Sequence, residues 1–193
     1  MRETPSIRLN RVSIERGRKP LITDLSLELS GPKLLWVVGG NGIGKTSLLR
    51  TCAGLSRAAK GTVQWALNKN PVSAPDVTAF LPADSYAKAG LNASEDAKLW
   101  SADLERVEIS EHEKTLTQNL STGQAKRLSF AKLLATEKSI WILDEPLAGL
   151  DADGRNMIAQ HLQNHVQSGG LAIVASHAPI PVENIPTQRL ILG

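Results

Sequence analysis

Residues 34–46 read Leu34-Leu35-Trp36-Val37-Val38-Gly39-Gly40-Asn41-Gly42-Ile43-Gly44-Lys45-Thr46. The apolar run 34–38 suits a strand that is covered on both faces. Residues 39–46 fit the phosphate-binding pattern G-x-x-x-x-G-K-[ST] in full, between a predicted strand and a predicted helix. Glycines let backbone N–H groups approach phosphate oxygens, and the start of a helix adds positive potential. The stretch therefore predicts a nucleotide-binding α/β fold.

The phosphate loop supplies most of the predicted ATP contacts. We expect the Lys45 ammonium group to reach the β- and γ-phosphates, and the Thr46 hydroxyl to bind Mg²⁺. The predicted ATP-binding residues of the loop are Gly39, Gly40, Asn41, Gly42, Ile43, Gly44, Lys45, Thr46 and Ser47.

A second apolar strand, at 140–143, delivers two carboxylates at its end, Asp144 and Glu145. Folds of the α/β class bind their ligands at this edge of the sheet. We expect Asp144 to hold Mg²⁺ together with Thr46. Glu145, one residue further on, is predicted to polarise the attacking water as a general base.

Between the loop and the acidic strand lies Leu120-Ser121-Thr122-Gly123-Gln124, which opens a predicted helix. Ser121 and the free N–H groups of the helix start form a predicted anion site. In order and spacing the segment resembles the signature of ABC-type ATPases. That resemblance implies that Ser121, Gly123 and Gln124 contact ATP held by a second copy, so that a homodimer closes on ATP binding.

The same resemblance assigns two later segments. Ala148-Gly149-Leu150-Asp151 resembles the loop that runs along the dimer seam of these ATPases. His177 follows the predicted strand 171–175, where the family has a histidine that bonds the γ-phosphate. The resemblance thus implies Lys45, Glu145 and His177 as the catalytic residues.

Alternation of strands and helices predicts a parallel sheet with helices on both faces. Further predicted elements are strands at 7–14, 21–29, 61–67 and 76–81 and a helix at 151–167. By resemblance, we expect one ABC ATPase domain over residues 1–193: a P-loop NTPase fold with a parallel-sheet core and an N-terminal antiparallel β-subdomain. A small helical subdomain is expected at about 84–136, where the sequence is polar and favours helix.

Composition excludes several classes of function. The chain has 193 residues, 41% of them hydrophobic, and a formal net charge of +3, which is too small to argue for a nucleic-acid partner. The single cysteine, Cys52, excludes an internal disulfide, and its apolar setting predicts a buried structural thiol. No stretch approaches the ~20 apolar residues that a spanning helix needs, so a membrane path would have to come from other chains.

Three closing segments carry a narrower resemblance. Residues 120–134, Ile140-Trp141-Ile142-Leu143-Asp144-Glu145-Pro146 and residues 169–180 look like the ATP-binding subunit of cytochrome c maturation, the haem exporter ATPase family CcmA. This implies a peripheral membrane protein on the cytoplasmic face of the bacterial inner membrane, or on the mitochondrial matrix face. The implied partners are integral membrane subunits of the haem exporter B type, with C- and D-type subunits. A generic ABC importer or exporter ATPase shares every motif, and a soluble ABC-type assembly ATPase is a third reading.

Two positions depart from the ABC pattern. Most members place an aromatic residue near the first hairpin to stack on adenine, and here Arg16 takes that place. A guanidinium plane can stack on a purine, although a solvated hairpin arginine is the other interpretation. The glutamine that usually ends the strand near residue 83 is replaced by Ala83. Either Asp84 takes over part of its role, or hydrolysis proceeds without this ligand.

Overall fold

A computed structural model of the chain describes residues 3–17, 19–84, 88 and 90–193. The strands are β1 (Pro5–Arg16), β2 (Lys19–Ser30), β3 (Lys33–Gly39), β4 (Lys60–Leu67), β5 (Asn70–Val72), β6 (Thr78–Leu81), β7 (Ile140–Asp144), β8 (Leu171–Ala175) and β9 (Thr187–Leu192). The helices are α1 (Lys45–Cys52), α2 (Ala74–Val77), α3 (Ala93–Lys98), α4 (Thr122–Ala135) and α5 (Ala152–Gln167). Short 3-10 turns span Glu105–Val107, Ser110–His112 and Thr117–Asn119.

The central sheet is parallel, with the strand order β6-β7-β8-β3-β9. Every residue of β7 and β8 is buried, as expected for strands covered on both faces. Alternate residues of β7 serve two cores. Trp141 and Leu143 pack with α4 and α5, whereas Ile140 and Ile142 pack with α1 and the N-terminal strands. The predicted parallel-sheet core is confirmed.

The N-terminal strands form an antiparallel sheet in the order β2-β1-β4-β5. Apolar residues of β1 alternate inward until Arg11, where the backbone is left-handed (φ 50°) and the register with β2 shifts. Such a bulge lets the alternation resume in a new register, so that Val12 and Ile14 are also buried. Because their inward face shares a core with α1, these strands support the helix that follows the phosphate loop.

Several element bounds differ from the sequence prediction. The strand expected from residue 76 begins at Thr78, because Ala74–Val77 form the helical turn α2 with Pro75 in its first turn. The helix expected from residue 151 begins at Ala152, since Asp151 is its N-cap and accepts a hydrogen bond from the Gly154 N–H. The edge strand β9 is absent from the prediction; its residues alternate between exposed and half-buried.

Residues 84–136 contain α3, the 3-10 turns and α4, and no strand among the residues described there. Residues 85–87 and 89 of this segment lie outside the described part of the chain. In the same described part, none of the helices has both the length and the apolar character needed to cross a bilayer.

Candidate functional site

The phosphate loop joins the end of β3 to the start of α1. Gly44 precedes α1 with φ 115°, a conformation that side-chain-bearing residues rarely adopt, and a Cβ there would lie 3.1 Å from Leu21. At the other end of the loop, a Cβ on Gly39 would lie 2.7 Å from the Leu192 carbonyl oxygen. Glycine is therefore required at both ends for this loop to pass between β2 and β9.

Lys45 is buried within the loop, with 8% of its surface exposed. Its Nζ donates to the carbonyl oxygens of Gly39 at 2.8 Å and Gly40 at 3.0 Å. It also lies 3.2 Å from His177 Nε2. Because an ammonium group can only donate, His177 Nε2 is the acceptor in this contact. The loop, the lysine and the histidine that follows β8 thus meet at one point.

Two oxygen-bearing side chains meet beside the lysine. The Thr46 hydroxyl donates to Asp144 Oδ2 at 2.7 Å. Asp144 is 2% exposed and ends β7, where the register sets it opposite Ala175 of β8. A hydroxyl and a carboxylate are the hard oxygen ligands that Mg²⁺ prefers. The pair therefore has the chemistry of a Mg²⁺ site.

Glu145 is held in an unusual backbone conformation, with φ 46°. Its N–H donates to the Ala175 carbonyl at 2.9 Å, and its Oε2 accepts from the His177 N–H at 3.4 Å. Its Oε1 is buried and, among the described residues, has no hydrogen-bond partner. Left-handed geometry at a non-glycine residue costs free energy and is concentrated at functional sites. Glu145 thus combines a strained backbone with a carboxylate oxygen that accepts no hydrogen bond from the described residues.

These side chains surround a cavity of about 280 Å³. Its lining includes Arg16, Gly40, Asn41, Gly42, Gly44, Lys45, Thr46, Ser47, Asp144 and Glu145. Ala83 and Leu21 also line it. Gly39 and Ile43, both predicted to contact ATP, are not among its lining residues; they pack against each other, since Ile43 Cγ2 lies 3.0 Å from the position of a Cβ on Gly39. The structure thus places Arg16 in the same cavity as the phosphate loop and the end of the acidic strand.

Ser121, Gly123 and Gln124 lie in a separate cavity of about 520 Å³. Ser121 is the N-cap of α4, and its hydroxyl accepts from the Gln124 N–H at 3.2 Å, while Gln124 Oε1 accepts from the Ser121 N–H at 2.9 Å. The Gln124 amide also donates to His112 Nε2 at 2.6 Å. This reciprocal capping box fixes the start of the helix and leaves Ser121 exposed.

Arg127 ties the helix that carries this second cavity to the loop before α5. The buried guanidinium donates to Glu108 at 2.8 Å and to Asp151 Oδ1 at 3.3 Å. The Gly154 N–H, with Arg127 as a further contributor, lowers the pKa of Asp151. Residues 148–151, predicted to follow the dimer seam, are therefore anchored next to the start of α4, and Gly149 and Asp151 line its cavity.

Sequence reasoning missed Lys126, which lies directly before Arg127. It is 2% exposed, and its Nζ donates to the carbonyl oxygens of Ala83 at 2.7 Å and Glu145 at 3.0 Å. Burial lowers the pKa of this lysine, against the opposing charges of Asp84, Glu145 and Asp144. The signal in the sequence is weak: a pair of cations before Leu128 reads as a solvated face of the helix.

Comparisons with known proteins identify the family and several relatives of the chain. Residues 22–148 match the family described as ABC transporter. The chain is 35% identical to the cytochrome c biogenesis ATP-binding export protein CcmA of Histophilus somni, over 95% of this chain and 92% of that protein. It is 32% identical to the protein of the same name in Mannheimia succiniciproducens, over 98% and 96%.

Solved structures share the fold. One is an ATP-binding cassette in a dimeric post-hydrolysis state bound to ADP and Pi, with a TM-score of 0.77 and 19% identity, covering 89% of this chain and 88% of that one. Another is cbiO1 of Clostridium perfringens, part of the ABC transporter complex cbiONQ, with a TM-score of 0.71 and 20% identity over 89% and 78%. At these identities the likeness concerns the fold, and it confirms the predicted fold class.

Proposed function

Because this chain belongs to the ABC transporter family, and its relatives include proteins named cytochrome c biogenesis ATP-binding export protein CcmA, we propose that it powers a membrane complex of cytochrome c maturation. It is a nucleotide-binding ATPase subunit of ABC type, and the family resemblance seen in the sequence is confirmed. The finer proposal is that hydrolysis drives haem export or the release of a haem-loaded chaperone. The observation that supports an active ATPase is that His177 contacts both Lys45 and Glu145, which line one cavity.

Phosphate binding is assigned to the loop, whose N–H groups and Lys45 neutralise the β- and γ-phosphates. Thr46 and Asp144 would hold Mg²⁺, since their oxygens already lie 2.7 Å apart. When bound, the ion would add charge neutralisation at the phosphates. Stacking on the adenine ring of ATP is assigned to Arg16, because this residue lines the same cavity as the phosphate loop.

Proton transfer is assigned to Glu145. Its buried Oε1 accepts no hydrogen bond from the described residues, so it is the group suited to take a proton from water. His177 Nε2 lies 3.6 Å from that oxygen and 3.2 Å from Lys45 Nζ. We assign the histidine to the γ-phosphate, between the two charged groups.

Dimer closure is assigned to the cavity of Ser121, Gly123 and Gln124. Within one chain this cavity is distinct from the one that Lys45 lines, so a single copy presents two half-sites. We propose that two copies close as a homodimer, each placing its Ser121 and Gly123 against the γ-phosphate bound by the other. A two-fold arrangement uses both half-sites of both copies.

The proposed partners are integral membrane subunits of the haem exporter B type, with C- and D-type subunits. They would hold the chain at the cytoplasmic face of the inner membrane, or at the matrix face of a mitochondrion. Recovery of such subunits with the chain in mild detergent supports this complex. Recovery of a different transporter would reassign the cargo, and purification without any membrane protein would favour the soluble assembly ATPase.

Glu145→Gln tests the catalytic assignment. The variant removes the proton acceptor and keeps the shape, so we expect ATP turnover to fall by at least ~100-fold while ATP affinity is kept. Phosphate release and equilibrium binding of a slowly hydrolysed ATP analogue measure the two quantities.

Glu137→Gln is the matched control, because Glu137 is also a glutamate with positive φ but is exposed after α4. We expect it to turn over ATP like the wild type. Undiminished turnover in Glu145→Gln would remove Glu145 from the mechanism.

A further inference from the structure

Lys126 connects α4 to the ends of two strands, β6 and β7. It lies in α4, shortly after Ser121 and Gly123. Its Nζ reaches the Ala83 carbonyl, in the loop after β6, and the Glu145 carbonyl, just beyond the end of β7. An ammonium group has three N–H donors, and two of them are used by these backbone oxygens. One side chain thus connects the helix of the second cavity to two residues that line the first.

The carbonyl that Lys126 binds belongs to the residue with the strained backbone. Glu145 has φ 46°, and its carbonyl oxygen also accepts from the Ala148 N–H at 3.2 Å. Strained backbone persists where surrounding contacts determine it. The hydrogen bond that Lys126 Nζ donates to the Glu145 carbonyl at 3.0 Å is such a contact. It fixes the orientation of the peptide group next to the Glu145 side chain and thereby the direction of that side chain.

Stability alone gives a poor reason for this lysine. Placing an ammonium group in a site that is 2% exposed costs free energy, and an apolar side chain of similar length often fills such a site at equal or greater stability. Burial lowers the pKa of Lys126, in agreement with that cost. The contacts that compensate it are made to Ala83 and Glu145, both in the nucleotide cavity.

We propose that Lys126 is a positioning residue for hydrolysis: it holds the Glu145 carboxylate in place by binding the Glu145 carbonyl, and links that position to the Ala83 loop and to α4. A shift of α4 or of the loop then moves the general base. Where the family glutamine is replaced by Ala83, the loop is joined to the catalytic carboxylate through its backbone carbonyl. This inference rests on the proposed ATP hydrolysis.

Lys126→Met tests the inference in the full-length chain, since methionine keeps the length and removes the donors. We expect kcat for ATP to fall by about 30-fold, as for a misplaced catalytic group, with KM and analogue affinity within about threefold of the wild type. The melting temperature of the variant is measured alongside, so that kcat is expressed per folded molecule. Lys126→Arg, which retains donors, should recover kcat to within about threefold.

Lys132→Met is the matched control. Lys132 lies on the same helix and pairs with buried Asp96, away from both cavities. Its substitution should lower the melting temperature, because Asp96 loses a cation, while kcat per folded molecule stays within about twofold.

The outcomes separate the two hypotheses. If the wild type does not hydrolyse ATP, the proposed function fails. If it does, and Lys126→Met keeps kcat within about threefold, or loses kcat only in proportion to analogue affinity or folded fraction, the positioning role is wrong. Should Lys126→Met not fold, Lys126→Leu, which also lacks donors, replaces it: a folded variant with kcat more than about threefold below wild type supports the proposal, and a smaller loss overturns it.

Discussion

The two cavities that carry the predicted ATP contacts differ in how far one chain completes them. Around the phosphate loop, side chains from distant elements already bind one another: Lys45 contacts His177, and Thr46 contacts Asp144. In the second cavity, the side chains of Ser121 and Gln124 form hydrogen bonds only within the capping box and from Gln124 to His112 among the described residues, and Ser121 is exposed. The first is an assembled site, and the second is a prepared surface.

This difference teaches how binding and hydrolysis divide between copies. A single chain holds the phosphate loop, the two carboxylates and the histidine, so we expect it to bind ATP alone. The exposed start of α4 has N–H groups and a hydroxyl suited to an anion, and its own chain's phosphate loop lies at another cavity. Hydrolysis is therefore expected to require a second copy.

Ser121→Arg should have the largest effect, because it tests whether the second cavity is needed for ATP turnover. A long cation in place of the hydroxyl blocks the prepared surface, so we expect turnover to fall by ~100-fold, as when a transition-state donor is removed. ATP affinity of the isolated chain should stay unchanged. Phosphate release and analogue binding are the measurements.

Mixing with Lys45→Ala shows whether the two cavities act across chains. A mixed dimer of Ser121→Arg and Lys45→Ala contains one site with both halves intact, so turnover should recover to roughly a quarter of the wild-type value under random pairing. Absence of recovery would mean that each chain uses its own Ser121.

Raised pH should lower the free energy of unfolding through Cys52, which lies in α1, the helix that follows the phosphate loop. Burial raises the pKa of Cys52, in the helix after Lys45, from 9.0 to about 12. Between pH 9 and about 12 the unfolded chain releases the thiol proton and the folded chain retains it, so the free energy of unfolding should fall by about 1.4 kcal/mol per pH unit in this window.

Urea unfolding of the wild type and of Cys52→Ala at a series of pH values isolates this contribution. The variant should lack that part of the slope, although it loses packing at every pH. Equal slopes for the two proteins would show that Cys52 ionises alike in both states.

Arg16→Ala is expected to have the smallest effect. Arg16 is exposed but lines the nucleotide cavity, and loss of stacking on the purine should weaken ATP binding by about fivefold. Arg8→Ala is the control, because Arg8 lies on the same strand and pairs with Glu28 at 2.7 Å outside this cavity. Equal affinities in both variants and the wild type would identify Arg16 as a solvated hairpin residue.

Prediction from sequence succeeded for strands whose pattern has one physical explanation. The apolar runs that became β3, β7 and β8 have few polar residues because helices or a second sheet cover both faces. It failed for β9, whose half-exposed residues at the sheet edge carry little pattern. It also missed α2, where Pro75 begins a helical turn before β6. Weak amphipathic signal and local turn chemistry explain both misses.

The sequence by itself determined the phosphate loop, the acidic strand end, the signature segment and hence the family, because each depends on residues adjacent in the chain. Only the tertiary structure decided that Arg16 lines the cavity of the phosphate loop, that the signature forms a cavity of its own, and that Lys126 reaches Ala83 and Glu145. These relations depend on the order of β6 and β7 in the sheet and on the packing of α4. Contacts between residues so far apart in the chain follow from that packing, and local patterns do not encode it.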